Sequence, residues 1–116
     1  MTSSSQPAKE HETLAAGVTV SGQLDESGLS RLAQAGVGAV INNRPDGEAP
    51  DQVPSETLQR HAARLGLAYH HMPIASEADD LAVGTAMREA AARHGRVHLF
   101  CRTGRRSARA WRAAGG

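Results

Sequence analysis

Val97-His98-Leu99-Phe100-Cys101-Arg102-Thr103-Gly104-Arg105-Arg106-Ser107 runs from a short apolar segment into a polar loop. Val97–Phe100 reads as a strand of the buried type, and the residues after Ser107 read as a short helix anchored by Trp111. The chain's single cysteine therefore lies between a strand and a helix start. A free thiol has a pKa of about 8.5, and a helix N-terminus with nearby cations lowers it to roughly 3.5–7.5. Arg102, Arg105 and Arg106 supply those cations. Gly104 admits backbone conformations that a Cβ forbids, so successive N–H groups can turn inward as an anion-binding nest. Ser107 can donate its hydroxyl to a thiolate, and Arg106 can chelate two oxyanion oxygens. Cys101 and Arg106 are the candidate catalytic residues. Arg102, Thr103, Gly104, Arg105 and Ser107 are the candidate anion-binding loop.

Each part has a plainer reading. A lone cysteine at a strand end is usually a small buried hydrophobe, and an Arg-rich helix is usually a solvated face. Their combination, with glycine three and arginine five residues after the cysteine, favours a nucleophile seated in a cradle for a tetrahedral anion.

Upstream, short apolar runs alternate with helix patterns. Gly17–Val20 reads as a strand, and Asp25 caps a helix carrying Leu29, Leu32 and Ala33 that stops at Gly36. Gly38–Asn42 is a second strand. The loop that follows holds Pro45, Pro50 and Pro54 and is long enough to suggest function. Ser55 is expected to cap a helix bearing Leu58, Ala62 and Leu65, ended by Gly66. Leu67–Ile74 is a third strand. Ser76 and Asp79 resemble a capping box opening a helix through about Arg93, which Gly95 stops. This β-α alternation, repeated four times, predicts an α/β, three-layer fold with a short parallel sheet of about four strands flanked by helices. Its site belongs at the C-terminal strand edge. Arg44 and Asp46 follow the second strand and point to that edge, Arg44 as a second anion contact and Asp46 as a spare acid. The plainer alternative there is a Pro-Asp-Gly turn.

Charge sharpens the picture. The formal net charge is only +1, but residues 1–89 carry 6 basic against 12 acidic side chains, whereas residues 90–116 carry 7 arginines and no acid. Such a pool of guanidinium groups implies a small anionic partner. Beside Phe100 that segment has one aromatic for stacking bases, Trp111, and no recognisable nucleic-acid module, so no nucleic acid is expected. No run approaches the roughly 18–20 apolar residues of a membrane span, and none resembles a secretory leader. One cysteine permits no intrachain disulfide, which suits a reduced, cytoplasmic setting.

His70 and His71 point to opposite faces of a strand, and Gly95 separates His94 from His98, so no metal is expected. Gly36-Val37-Gly38 leads from helix into strand, the reverse of a dinucleotide loop, so no cofactor is expected. The polar residues 1–13 are expected to be disordered, leaving 14–116 as a single domain. The aromatics are only Tyr69, Phe100 and Trp111, so Leu, Val and Ile must fill most of the core.

The cysteine loop is similar to those of protein-tyrosine phosphatases and rhodanese sulfurtransferases. Together with Gly22-Gln23-Leu24 and Ile41-Asn42-Asn43-Arg44-Pro45-Asp46-Gly47-Glu48, it makes the chain from about residue 14 to 112 resemble a bacterial family. That family is the phosphatase-like domain of the beta-lactamase-hydrolase-like proteins, also labelled as sulfur transferases. The resemblance implies the dual-specificity phosphatase fold and a cysteine-dependent enzyme.

Where the sequence departs from phosphatases, it leans towards sulfur chemistry. Phosphatases place five residues between the cysteine and the arginine; here four separate Cys101 from Arg106, as in rhodaneses. Phe100 stands where phosphatases usually carry His. Tyr69-His70-His71-Met72-Pro73 resembles the strand before the phosphatase general acid, yet the seventh residue after Tyr69 is Ser76. Glu77, Asp79, Asp80 and Asp46 remain as substitutes. A general acid contributes roughly 10²–10⁴ in rate, and sulfane-sulfur transfer needs it less.

The expected function is therefore sulfur transfer from thiosulfate or a persulfide through a Cys101 persulfide. The alternative is phosphomonoester hydrolysis through a phosphocysteine, and the third reading is an Arg-rich binding module. The chain stops soon after the loop, so a following persulfide-oxidising domain or protein is an expected partner.

Overall fold

A computed structural model describes residues 11–115. Its strands are β1 (Glu12–Ala15), β2 (Val18–Ser21), β3 (Ala39–Asn42), β4 (Ala68–His71) and β5 (Val97–Phe100). Its helices are α1 (Glu26–Gln34), α2 (Ser55–Arg64), α3 (Asp80–His94) and α4 (Arg105–Gly115), with a 3-10 turn, Glu77–Asp79, leading into α3. The strands form one sheet in the order β1-β2-β5-β3-β4. β2, β5, β3 and β4 run parallel, as the β-α alternation requires, while β1 is antiparallel to β2.

The sheet thus has five strands and is mixed, not four and parallel. The additional strand joins β2 through Ala16-Gly17, where Gly17 takes φ +77°, a conformation open to glycine. Disorder expected through residue 13 fails at its end, because Glu12 and Thr13 pair with Val20 and Thr19. An edge strand with a solvated face carries little apolar signal. The rest of that stretch, residues 1–10, lies outside the described residues.

Side-chain alternation divides the core between the two faces of the sheet. Val18, Val20, Ala39, Ile41, Val97 and Leu99 pack against Met87 and Ala90 of α3 and Ala110 and Trp111 of α4. Val40 and Phe100 pack on the opposite face against Leu29 and Leu32 of α1 and Leu58 and Ala62 of α2. Full burial of such an aliphatic side chain is worth about 1.5–3 kcal/mol. Gly84 lets α3 and α4 approach closely, since a Cβ there would overlap the Ala110 carbonyl oxygen.

Two caps follow the sequence reading. Asp25 Oδ1 accepts from Gly28 N at 2.8 Å, and Ser76 and Asp79 form a reciprocal capping box. The cap expected from Ser55 differs. Pro54 holds the cap position of α2, and the Ser55 amide donates to Asp46 Oδ1 at 2.8 Å, from nine residues upstream. Ser55 Oγ instead bonds the Tyr69 hydroxyl. β4 ends at His71, short of Ile74. Pro73 has no N–H to donate, while Met72 N and Ile74 N bond the Asn42 and Asn43 carbonyls. At the C-terminal edge Phe100 lies in register with both Ser21 and Asn42, and Asn42 with His71. The loops after β2, β3, β4 and β5 therefore meet there.

Candidate active site

Cys101 leaves β5 at this edge and is fully buried. Its Sγ accepts from Gly104 N at 3.0 Å. Gly104 takes φ +94° and lies so close to Ser21 that a Cβ would press on its carbonyl oxygen at 3.2 Å. Backbone conformation and space both select glycine there. Burial pushes the Cys101 thiol up, but N–H groups of Ser107, Thr103 and Gly104 and the Ser107 hydroxyl outweigh it and hold the thiol below its ordinary pKa. The start of α4 at Arg105 adds the positive end of a helix dipole.

Ser107 is buried and its single hydroxyl proton has two takers. One is the Cys101 sulfur. The other is Asn43 Oδ1, at 2.6 Å. Asn43 Nδ2 donates to the Met72 carbonyl at 2.9 Å, so Oδ1 must be the atom facing Ser107 and can only accept.

Arg106 is oriented by a residue that the sequence reading did not single out. Nη1 donates to Glu48 Oε2 at 2.7 Å and to the Ile74 carbonyl at 3.1 Å, and Nη2 donates to Glu48 Oε1 at 2.9 Å. Of the five guanidinium N–H bonds, these leave the Nε–H and one Nη2–H, which share one edge. That edge is the bidentate fork an oxyanion needs. Glu48 thus grips the end of Arg106 and leaves its side edge to a ligand. The Arg106 hydrogen bonds, against the opposing effect of burial and helped by Arg44, hold the Glu48 carboxyl at about 2. Reciprocally, Glu48 and to a smaller degree the Cys101 sulfur raise Arg106.

Arg44 joins the same cluster. It is buried, with Nε on Glu48 Oε1 at 3.0 Å and Nη1 on Gln23 Oε1 at 3.0 Å. Its amide donates to Asn42 Oδ1, and its carbonyl accepts from His71 Nε2. Arg44, Arg102 and Arg106, with Glu48 and Ala49, line a hollow of about 480 Å³. Arg105 lines a different hollow, together with Arg109 and Arg112. Thr103 Oγ1 accepts from Arg105 N within the loop.

Three of the four carboxylates weighed as acids, Asp46, Asp79 and Asp80, are engaged elsewhere. Asp46 holds the Ser55 amide, Asp79 closes the capping box, and Asp80 binds Arg109 at 2.6 Å. Glu77 is largely exposed and lies 3.9 Å from Arg109. His98, three residues before Cys101, is buried between Thr19 Oγ1 at 2.7 Å and Ser21 Oγ at 2.8 Å. Burial, with the nearby His11, lowers it to about 3, so it is neutral at physiological pH. Among the described residues no three His, Cys, Asp or Glu side chains gather as a metal site.

Glu48, Asn43 and Gln23 are the site residues that went unassigned in the sequence, although all lie in the two segments that carried the family resemblance. A carboxylate four residues after an arginine on a loop is too common a pattern to mark by itself.

Known proteins resemble this chain in sequence and in fold. Residues 10–115 match the family described as beta-lactamase hydrolase-like protein, phosphatase-like domain. A beta-lactamase hydrolase-like protein of Xylella fastidiosa is 34% identical over 94 residues, covering 78% of this chain and 21% of the relative. This chain thus spans about a fifth of that relative's length. Among solved structures, a candidate phosphatase of Neisseria meningitidis superposes with TM-score 0.78 at 28% identity, covering 90% of this chain and 77% of its own. TpbA of P. aeruginosa, solved with phosphotyrosine, shares the fold at TM-score 0.59 and 16% identity, over 84% of this chain and 56% of its own.

Proposed function

The chain belongs to the phosphatase-like domain family of beta-lactamase hydrolase-like proteins, and on that premise we propose that it hydrolyses phosphomonoesters through Cys101. The carrying observation is the free Nε/Nη2 edge of Arg106, held by Glu48 beside a sulfur that already accepts loop hydrogen bonds. In this reading the Arg106 edge and the loop N–H groups bind the phosphoryl oxygens. The thiolate attacks phosphorus, an S–P bond forms, and the P–O bond to the leaving group breaks. Water then attacks the phosphocysteine, releasing inorganic phosphate and restoring the thiolate. A dianion in the nest is stabilised as charge shifts onto its equatorial oxygens.

The engaged carboxylates bear on the substrate. With Asp46, Glu48, Asp79 and Asp80 all committed, leaving groups that depart as weakly basic anions suit the site best. Aryl phosphates are of that kind, and the structural neighbour solved with phosphotyrosine holds an aryl phosphate. Turnover of an aryl phosphate, abolished in both Cys101→Ser and Arg106→Ala, tests this reading. Activity retained in either variant overturns it.

A second reading has its own support in the four-residue spacing between Cys101 and Arg106. There Cys101 attacks the outer sulfur of thiosulfate, the S–S bond breaks, and sulfite leaves as a stable anion. An acceptor thiolate then takes the outer sulfur from the Cys101 persulfide. Neither reading calls for a resident metal or cofactor.

A further inference from the structure

The three arginines of the cysteine loop do not converge. Arg102 and Arg106 line the mouth with Arg44. Arg105 lines a second hollow of about 390 Å³ across the loop, on the β1–β2 side. Arg105, Arg109 and Arg112 stand there at positions i, i+4 and i+7 of α4, one stripe of the helix. Gly22, Gly104 and Ala108, all small, and Thr103 also line the hollow.

The three charges are unequally compensated. Arg109 is bound by Asp80 at 2.6 and 3.1 Å, so it offers donors more than net charge. Arg112 meets Glu12 only at 3.9 Å, with both side chains about two-thirds exposed, and such a pair is worth little. Arg105 makes no ion pair among the described residues. The residues lining the hollow therefore carry an excess of positive charge, three arginines against the single carboxylate of Glu12, which is weakly held.

We propose that this hollow is a second anion subsite, which takes a phosphate or carboxylate group beside the cysteine loop. Arg105 and Arg112 bind the ligand, Arg109 is braced by Asp80 as a third donor, and Glu12 competes with the ligand for Arg112. The group belongs either to a free anion or to a substrate that carries a second anionic group past the rim of the loop. The subsite goes beyond the phosphatase reading and does not depend on it.

The test is a titration of the full chain with inorganic phosphate at constant ionic strength, following the arginine Nε–H signals by NMR. Two saturable events are expected. One moves Arg44 and Arg106 and disappears in Arg106→Ala. The other moves Arg105 and Arg112, persists in Arg106→Ala, weakens about fivefold in Arg112→Ala and tightens about twofold in Glu12→Gln. A single event lost in Arg106→Ala overturns the subsite, as does indifference to both the Arg112 and Glu12 changes. Turnover plays no part in this readout, so failure of the phosphatase reading would not be mistaken for failure of the subsite. KM for phenyl phosphate and for a carboxylated phenyl phosphate in Arg112→Ala then identifies the source. A rise confined to the carboxylated compound assigns the subsite to the substrate, and equal effects assign it to a free anion.

Discussion

Glu48 holds Arg106 through both carboxylate oxygens, at 2.7 and 2.9 Å, while Oε1 also accepts from Arg44 at 3.0 Å. One carboxylate thereby sets the orientation of two arginines at the mouth of the cysteine loop. Glu48→Gln keeps the shape but leaves one oxygen for three donors. Hydrogen bonds to charged groups are worth about 1.5–3 kcal/mol, so kcat/KM for an aryl phosphate should fall roughly 10–100-fold. Steady-state kinetics check it, and Arg106→Lys should lose more, because an ammonium cannot offer two parallel donors.

The same carboxylate makes stability depend on pH. Its folded pKa of about 2 is depressed from 4.5, so its contribution is complete above about pH 4.5 and is lost as pH falls towards 2. Denaturant melts should show the wild type more stable than Glu48→Gln at neutral pH. The difference should shrink steadily below about pH 4.5.

Cys101 titrates below an ordinary thiol because N–H donors and the Ser107 hydroxyl favour the thiolate against burial. The rate of iodoacetamide alkylation against pH should therefore have its midpoint below that of an ordinary, unperturbed thiol. Ser107→Ala removes one of those donors, so the midpoint should move up. A midpoint that stayed in place would remove the hydroxyl from the account.

Asp46 separates a cap from an acid. Its Oδ1 accepts the Ser55 amide, so Asp46→Ala should cost about 0.5–2 kcal/mol, the usual worth of a cap. Asp46→Asn keeps an accepting oxygen and should melt close to the wild type. If Asp46 were also the proton donor, the asparagine variant would lose roughly 10²–10⁴ in turnover of alkyl phosphates. The capping account expects no loss of that size.

What was legible in the sequence was local. Asp25, the Ser76–Asp79 box and the Cys101–Ser107 loop each act within a few residues, so spacing alone displays them. Glu48 is 58 residues from Arg106 and meets it only because the strand order sets β3 beside β5. Asp46 reaches Ser55 across a loop, and a local reading assigned that cap to Ser55 itself. The antiparallel edge strand was hidden for a different reason. Glu12 and Thr13 are polar and exposed, and their order comes from backbone pairing with β2 rather than from buried side chains.

The fate of the Cys101 sulfur tests the central claim most directly. Phosphorus NMR and intact mass of the chain, quenched during turnover of an aryl phosphate, should reveal one phosphoryl group on Cys101, absent in Cys101→Ser. A parallel sample exposed to thiosulfate separates the two chemistries. A chain that takes no phosphoryl group but gains one sulfur atom at Cys101 would contradict the phosphatase account and establish the sulfur-transfer reading in its place.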